Sequence, residues 1–217
     1  MEIARNVLIG MAVLLIWAVI RRDRIREDIR FFRRDRRQWL YLKWKNWGEP
    51  ILIAVVLALF IRAFIVQAYK IPTGSMRPTF LENDRILVDK LSYRFREPKR
   101  GEIIVFKYPE DPKKDFVKRL IGFGGETVEI SKGNVLIDGK RVEEPDITKN
   151  YYYNHNDWTY GKEHEVIPIP KDYYFVLGDN SAQSSDSRNW GFVPKKNLKG
   201  KAMLIYWPIP RVKIIRD

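Results

Sequence analysis

Residues Ile51 to Thr79 read Ile-Leu-Ile-Ala-Val-Val-Leu-Ala-Leu-Phe-Ile-Arg-Ala-Phe-Ile-Val-Gln-Ala-Tyr-Lys-Ile-Pro-Thr-Gly-Ser-Met-Arg-Pro-Thr. The first 18, Ile51 to Ala68, form an apolar run with one charge, Arg62. As a helix the run spans about 27 Å, close to the hydrocarbon thickness of a bilayer. Arg62 is read as snorkelling to the outer interface; facing a partner helix is the alternative. Length and a basic flank argue against a buried soluble helix. Two residues after the run begins the segment Ile71 to Thr79, where Pro and Gly bracket Ser75. A membrane span thus delivers a hydroxyl to within a few residues of the bilayer surface. Such a placement implies a target that is itself a membrane-associated chain.

Upstream, Val7 to Ile20 is a shorter apolar run, which Met1 to Ala4 extends once Arg5 snorkels. A cleavable leader would place its basic residues before the run and a small-residue cut site after it. Here Arg21-Arg-Asp-Arg24 follows instead. Between the runs, Arg21 to Glu49 holds 11 Lys or Arg against 5 Asp or Glu. Positive loops stay on the cytoplasmic side, so residues 21–50 are expected there, and everything after Ala68 on the far side. Arg24 to Trp44 mixes Arg with Ile, Phe, Trp and Leu, as an interfacial helix would. Of the formal net charge of +13, nearly half therefore follows from topology. No basic-aromatic motif argues for nucleic acid. Cysteine is absent, which removes disulfides and thiolate metal sites.

Downstream, the texture changes to short β-prone stretches: Arg85 to Asp89, Glu102 to Tyr108, Thr127 to Ser131, Val135 to Ile137, Tyr173 to Leu177 and Ala202 to Trp207. Gly and Pro separate many of them, and no long helix intervenes. The expectation is a mainly β chain: an antiparallel β domain over 69–217, preceded by two transmembrane helices over 1–20 and 51–68. Residues 143–171 lack clear periodicity and read as an insertion.

A serine needs a base to become a nucleophile. The two histidines, His155 and His164, sit in the polar insertion without a triad context and read as surface groups. Lys118, in Asp-Phe-Val-Lys-Arg-Leu-Ile-Gly (Asp115 to Gly122), is flanked by apolar residues. On a strand, Phe116, Lys118 and Leu120 share one face. Desolvation there lowers a lysine's pKa and leaves a neutral amine as general base. The plain alternative is an edge-strand lysine in water. Gly178 to Arg188, Gly-Asp-Asn-Ser-Ala-Gln-Ser-Ser-Asp-Ser-Arg, reads as a hydrogen-bonded loop between a strand and the anchoring Trp190, Phe192 and Val193. Asp186 and Arg188 can pair to stiffen it.

Three blocks, in order, resemble bacterial type I signal peptidases: Ile71 to Thr79, Asp115 to Gly122, and Gly178-Asp-Asn with Ser184 to Arg188. Asn83 to Lys90 matches the strand that follows the serine in that family. The resemblance covers Tyr69 to Pro194 apart from the insertion, and the two-anchor layout matches.

The resemblance implies Ser75 as nucleophile, Lys118 as general base and Ser184 as the hydroxyl orienting the lysine. It makes Asp186 and Arg188 the ion pair holding the loop. The Ser75 N–H would meet the oxyanion, helped by Thr73, where many members have serine. Phe116 stands where many have tyrosine. The implied reaction is acyl transfer onto Ser75 from a signal peptide with small residues at the first and third positions before the cut (Ala-x-Ala). Ile71, Met76, Phe116 and Val117 are the candidates for lining its pockets, with ordinary core packing as the alternative for each. No metal or other cofactor is implied. The partners would be signal-peptide-bearing precursors and the lipid bilayer, with the catalytic domain outside the bacterial cytoplasmic membrane. A self-cleaving Ser–Lys protease of the repressor type and a non-catalytic membrane-tethered β module are the competing readings. Neither accounts for both the paired anchors and the three blocks.

Overall fold

The computed structural model describes residues 27 and 29–215. Two compact units meet between Leu59 and Phe60. In the first, helix α1 (Arg36–Lys43) starts where the Asp35 side chain accepts the Gln38 N–H at 3.0 Å. A π-helical turn, Trp44–Gly48, follows, and α2 (Glu49–Phe64) continues it. Pro50 has no N–H to donate, and the ladder widens just before it. Arg36–Phe64 is the one helix among the described residues long and apolar enough to cross a membrane. Every residue from Glu49 to Phe64 is exposed. The segment expected to lie along the interface upstream of Trp44 is helical over 29–34 and again from Arg36, where it runs into this helix. The first apolar run, Val7 to Ile20, lies outside the described residues.

The apolar helix ends at Phe64, four residues before the end read from hydropathy, and strand β1 (Val66–Lys70) begins. The Lys90 N–H binds the Ile65 carbonyl at 2.8 Å and starts a ladder in which Val66 faces Asp89 and Lys70 faces Arg85. Val66 to Ala68 continue the apolar composition, so hydropathy cannot mark this change; the pairing partner does.

The remaining strands are β2 (Arg85–Asp89), β3 (Ile103–Lys107), β4 (Asp115–Phe123), β5 (Thr127–Ser131), β6 (Asn134–Ile137), β7 (Lys140–Arg141), β8 (Ile167–Pro168), β9 (Tyr173–Leu177), β10 (Val193–Pro194), β11 (Leu198–Trp207) and β12 (Lys213–Ile214). The large sheet runs β1-β2-β11-β3-β4-β9-β10, with β12 on β11, and the small one β7-β6-β5-β8. Every pairing is antiparallel. Two-residue turns build the small sheet: Lys132-Gly133 joins β5 to β6, and Asp138-Gly139 joins β6 to β7. All four turn residues have positive φ, as type I′ hairpins require. Residues 143–171, read as an insertion, hold the short helix α3 (Pro145–Thr148) and end in β8, which completes this sheet.

Three apolar clusters fill the domain. One lies under the small sheet and includes Ile121, Val128, Ile147, Tyr152 and Phe175. The second gathers Ile71, Met76, Phe80, Ile86, Val88 and Ile103, with Val117 against it. The third holds Ile104, Phe106, Leu120 and Val176, with Phe116 and Trp190 packed on it. β4 contributes to all three, which makes it the central strand of the site.

Phe80 is fully buried beneath the loop that carries Ser75, and its N–H binds the Met76 carbonyl at 2.9 Å. Phe80→Ala removes a ring that nothing nearby can replace. The expected loss of unfolding free energy in a urea titration is about 3–5 kcal/mol.

Candidate active site

Ser75 sits in a 3₁₀ turn, Gly74–Met76, that follows β1 and the Ile-Pro-Thr stretch. Its backbone is held from across the domain. The Asn180 N–H donates to the Ser75 carbonyl at 3.1 Å, and Asn180 Nδ2 donates to the Gly74 carbonyl at 3.0 Å. The Met76 side chain is buried in the core, which anchors the turn on its other side.

Lys118 lies in mid-β4, opposite Ile104 of β3, and its Nζ is 2.6 Å from Ser75 Oγ. Only 3% of Lys118 is exposed, and its Nζ stands 5.6 Å from the centre of the Phe116 ring. Burial pulls its pKa down to about 8; Asp186 and Asp179 oppose that shift, while Arg188 adds to it. A lysine in this environment begins to lose its proton well below the range of a solvated lysine.

Two buried ion pairs shape the loop facing it. Arg188 donates from Nε to Asp186 Oδ1 and from Nη2 to Asp186 Oδ2, both at 2.8 Å, with both side chains fully buried. Asp186 also accepts the Gly178 N–H at 3.0 Å and caps the short helix α4 (Ser187–Trp190). Arg188 further donates to Ser181 Oγ and to the Tyr153 carbonyl, and stacks 4.4 Å over the Trp158 ring. The segment read as an insertion therefore braces the loop that faces Lys118. In the second pair, Arg119 holds both oxygens of Asp179, at 2.7 and 2.5 Å, and the Gly101 carbonyl at 2.6 Å. Thr79 Oγ1 donates to Asp179 as well, at 2.5 Å, which ties the serine segment to β4 and to the loop after β9.

A groove of about 290 Å³ opens beside Ser75 and Lys118. Its apolar lining comes from Ile71, Met76, Phe116 and Val117, with Thr73 at the rim.

A serine hydroxyl in hydrogen-bonding reach of a buried, pKa-lowered lysine beside an apolar groove is a nucleophile–base arrangement. The family model for signal peptidase, peptidase S26, matches residues 44–207. The chain belongs to this family. It is a serine endopeptidase that cleaves signal peptides. Among its relatives, the probable signal peptidase I-2 of Synechocystis is 43% identical over 80% of this chain and 78% of its own length. Signal peptidase I of Leptolyngbya laminosa is 44% identical over 76% of this chain and 80% of its own. A solved signal peptidase I from Enterococcus faecalis V583 covers 49% of this chain and 97% of its own, at 33% identity and a TM-score of 0.39.

In this peptidase the fold brings together the residues singled out from sequence. Ser75, Lys118, Thr73, Ile71, Met76, Phe116 and Val117 share the groove, and Asp186 pairs with Arg188 beside it. Ser184 is buried next to the site, but its Oγ has no hydrogen-bond partner, so the expected bond to the lysine is not formed. Ile71 and Met76 are both core and lining, which joins the two readings of those residues. Both histidines are exposed, His155 beside Asp157 and His164 beside Glu129. Arg119, Asp179 and Asn180 were not singled out individually. Their signal was position: Arg119 follows the candidate base, and the other two complete Gly178-Asp-Asn.

Gly178 is where the two loops touch. A Cβ there would lie 2.1 Å from Ser184 Oγ and 2.5 Å from the Ser75 carbonyl oxygen. Gly178→Ala must push the Ser75 backbone away, and displacements near 1 Å of a reacting group cost on the order of 100-fold in rate. The expected result is a loss of that order in kcat for precursor cleavage, with substrate KM little changed.

Proposed function

We propose that this peptidase works through a Ser75–Lys118 dyad, cutting signal peptides after Ala-x-Ala-type sites at the outer face of a bacterial cytoplasmic membrane. The observation that carries the proposal is the 2.6 Å separation between a serine hydroxyl and a lysine amine whose pKa burial lowers to about 8. Neutral Lys118 accepts the Ser75 proton as Oγ attacks the scissile carbonyl. The Ser75 N–H and the Thr73 hydroxyl are assigned to the developing oxyanion. The lysine ammonium returns its proton to the departing amine, and an acyl-enzyme remains. Lys118 then takes a proton from water, which attacks the ester and frees Ser75.

Acylation removes Ser75 Oγ as the partner of the lysine amine. Ser184 supplies the replacement in this scheme, since its hydroxyl is buried beside the dyad and otherwise unengaged. Asp186 and Arg188 hold that loop, and their opposite charges act on Lys118 in opposite directions. Side-chain selectivity is assigned to Ile71, Met76, Phe116 and Val117, whose small apolar groove suits alanine-sized groups. No cofactor takes part.

The assigned layout is a first span over 1–20, a cytoplasmic loop to about residue 50, a second span ending at Phe64 and an exoplasmic catalytic domain after it. The exposed apolar surface of α2 and the basic segment before it support this topology.

Because the base must be unprotonated, kcat/KM rises with pH through about 8 and levels off above it. A steady-state pH series on an Ala-x-Ala precursor measures this limb, with Ser75→Ala and Lys118→Ala inactive throughout. A limb near 10.4, the value for a solvated lysine, refutes the desolvated base.

Burial of this amine also costs stability. Below pH 8 the lysine is protonated in both states, and the folded state bears the full penalty, about 3 kcal/mol. The penalty fades as pH rises from about 8 to about 10.4, where the unfolded lysine loses its proton. Lys118→Met is therefore expected to be inactive yet more stable than wild type at pH 7. That gain shrinks toward pH 10.4 when followed by denaturant unfolding.

A further inference from the structure

We propose that a basic cleft at the end of the apolar helix binds the phosphate of an anionic lipid headgroup. The inference rests on the membrane topology assigned above and adds a lipid site to it. The cleft measures about 490 Å³ and is lined by Gln67, Lys90, Arg94, Lys195 and Lys199, against one acid, Glu97.

Its place along the chain is set by the helix end. Lys90 Nζ donates to the Ala63 carbonyl in the last turn of α2, at 2.6 Å, and Gln67 is the second residue of β1. Two residues beyond Lys90, a single helical turn (Ser92–Phe95) carries Arg94 to the cleft and Phe95 out of the domain. Phe95 is 82% exposed, the highest value for a large apolar side chain among the described residues. A span ending at Phe64 sets these groups at the depth where headgroups meet water. An aromatic ring there enters the lipid, and cations beside it face phosphates.

The charges suit a single phosphate. Lys199 is engaged by Asp115 at 2.6 Å, so its charge is largely matched. Lys195 has no carboxylate nearer than 3.9 Å, and its nearest are on Glu97 and Asp172. Arg94 is exposed and presents a planar fork of N–H donors, which matches phosphate oxygens better than an ammonium does. Lys90 is fixed by its bond to the helix carbonyl, which pre-orders one wall. A zwitterionic headgroup offers the same phosphate but adds a cation, which three or four basic side chains repel.

The test uses the full chain in phosphatidylcholine nanodiscs with and without phosphatidylglycerol. Native mass spectrometry reads the lipid retained on the released protein. Wild type is expected to keep phosphatidylglycerol in preference to phosphatidylcholine. Reversing two charges, Arg94→Glu with Lys195→Glu, lowers that retention about tenfold or more, at roughly 1 kcal/mol per basic residue. The milder Arg94→Gln with Lys195→Gln falls between, and an unchanged melting temperature shows that both variants fold. Reversal of Arg36 and Arg37 accounts for retention by the basic segment before the span and leaves the cleft's share intact.

Equal retention by wild type and the Arg94/Lys195 variants overturns the lipid site while leaving the topology standing. A chain that enters neither kind of nanodisc overturns the topology instead. Inorganic phosphate that displaces phosphatidylglycerol at comparable concentration assigns the cleft to a soluble anion and removes the lipid.

Discussion

The site depends on keeping one amine out of water. An ammonium in solution is strongly hydrated, so the cheapest way to lower its proton affinity is to remove that hydration. Lys118 loses it on the stretch of β4 that pairs with β3 alone, opposite Ile104; the ladder to β9 begins at the next residue, Arg119, and the Ser75 loop covers the amine. Phe116 and Leu120 occupy the same face of the strand and pack into one apolar cluster. In the dyad proposed above, an amine left in water at this position would meet Ser75 as a cation rather than as a base.

Burial alone would also trap the amine without a partner. The remedy is the continuous loop after β9, held at two points, each by a buried Arg–Asp pair. Arg119 with Asp179 fixes the Gly-Asp-Asn turn, and that turn holds the backbone of the serine loop through Asn180. Arg188 with Asp186 fixes the next stretch and draws in Tyr153 and Trp158. Such pairs recover little net stability after desolvation, but each demands one geometry for its hydrogen bonds. Their contribution here is placement: they set where Ser75, Ser184 and Lys118 stand relative to one another. Gly178 permits the contact because any side chain would occupy the space of the Ser75 carbonyl.

Sequence reading singled out residues that the fold gathers into one groove, and it was less complete about the fold around them. Ser75, Lys118 and the Asp186–Arg188 pair lie in blocks whose residue types are improbable without a shared task. Most strands were legible from β-branched runs between Gly and Pro, and β2, β5 and β9 have the expected bounds. The end of the apolar helix was not, because Ile65 to Ala68 carry the same composition in a strand as in a span. Only the ladder with Arg85 to Asp89 decides between them. The brace from Trp158 was equally hidden: a stacked guanidinium leaves no local pattern, and its two partners are far apart in the chain.

The shifted boundary bears on the proposed anchor. A helix reaching Ala68 would leave the serine on a short tether, free to swing near the bilayer. Instead five residues of paired strand intervene, about 16 Å of rigid backbone. The same strand pairs with β2, which pairs with β11 and so with the rest of the sheet. In a chain anchored as proposed, the distance from the helix end to Ser75 is thus fixed by the β ladder and not by linker entropy. Under that proposal the height of Ser75 above the helix end is set by the strand, and a substrate must reach it as extended chain, the form that a groove between the Ile71 stretch and β4 accepts.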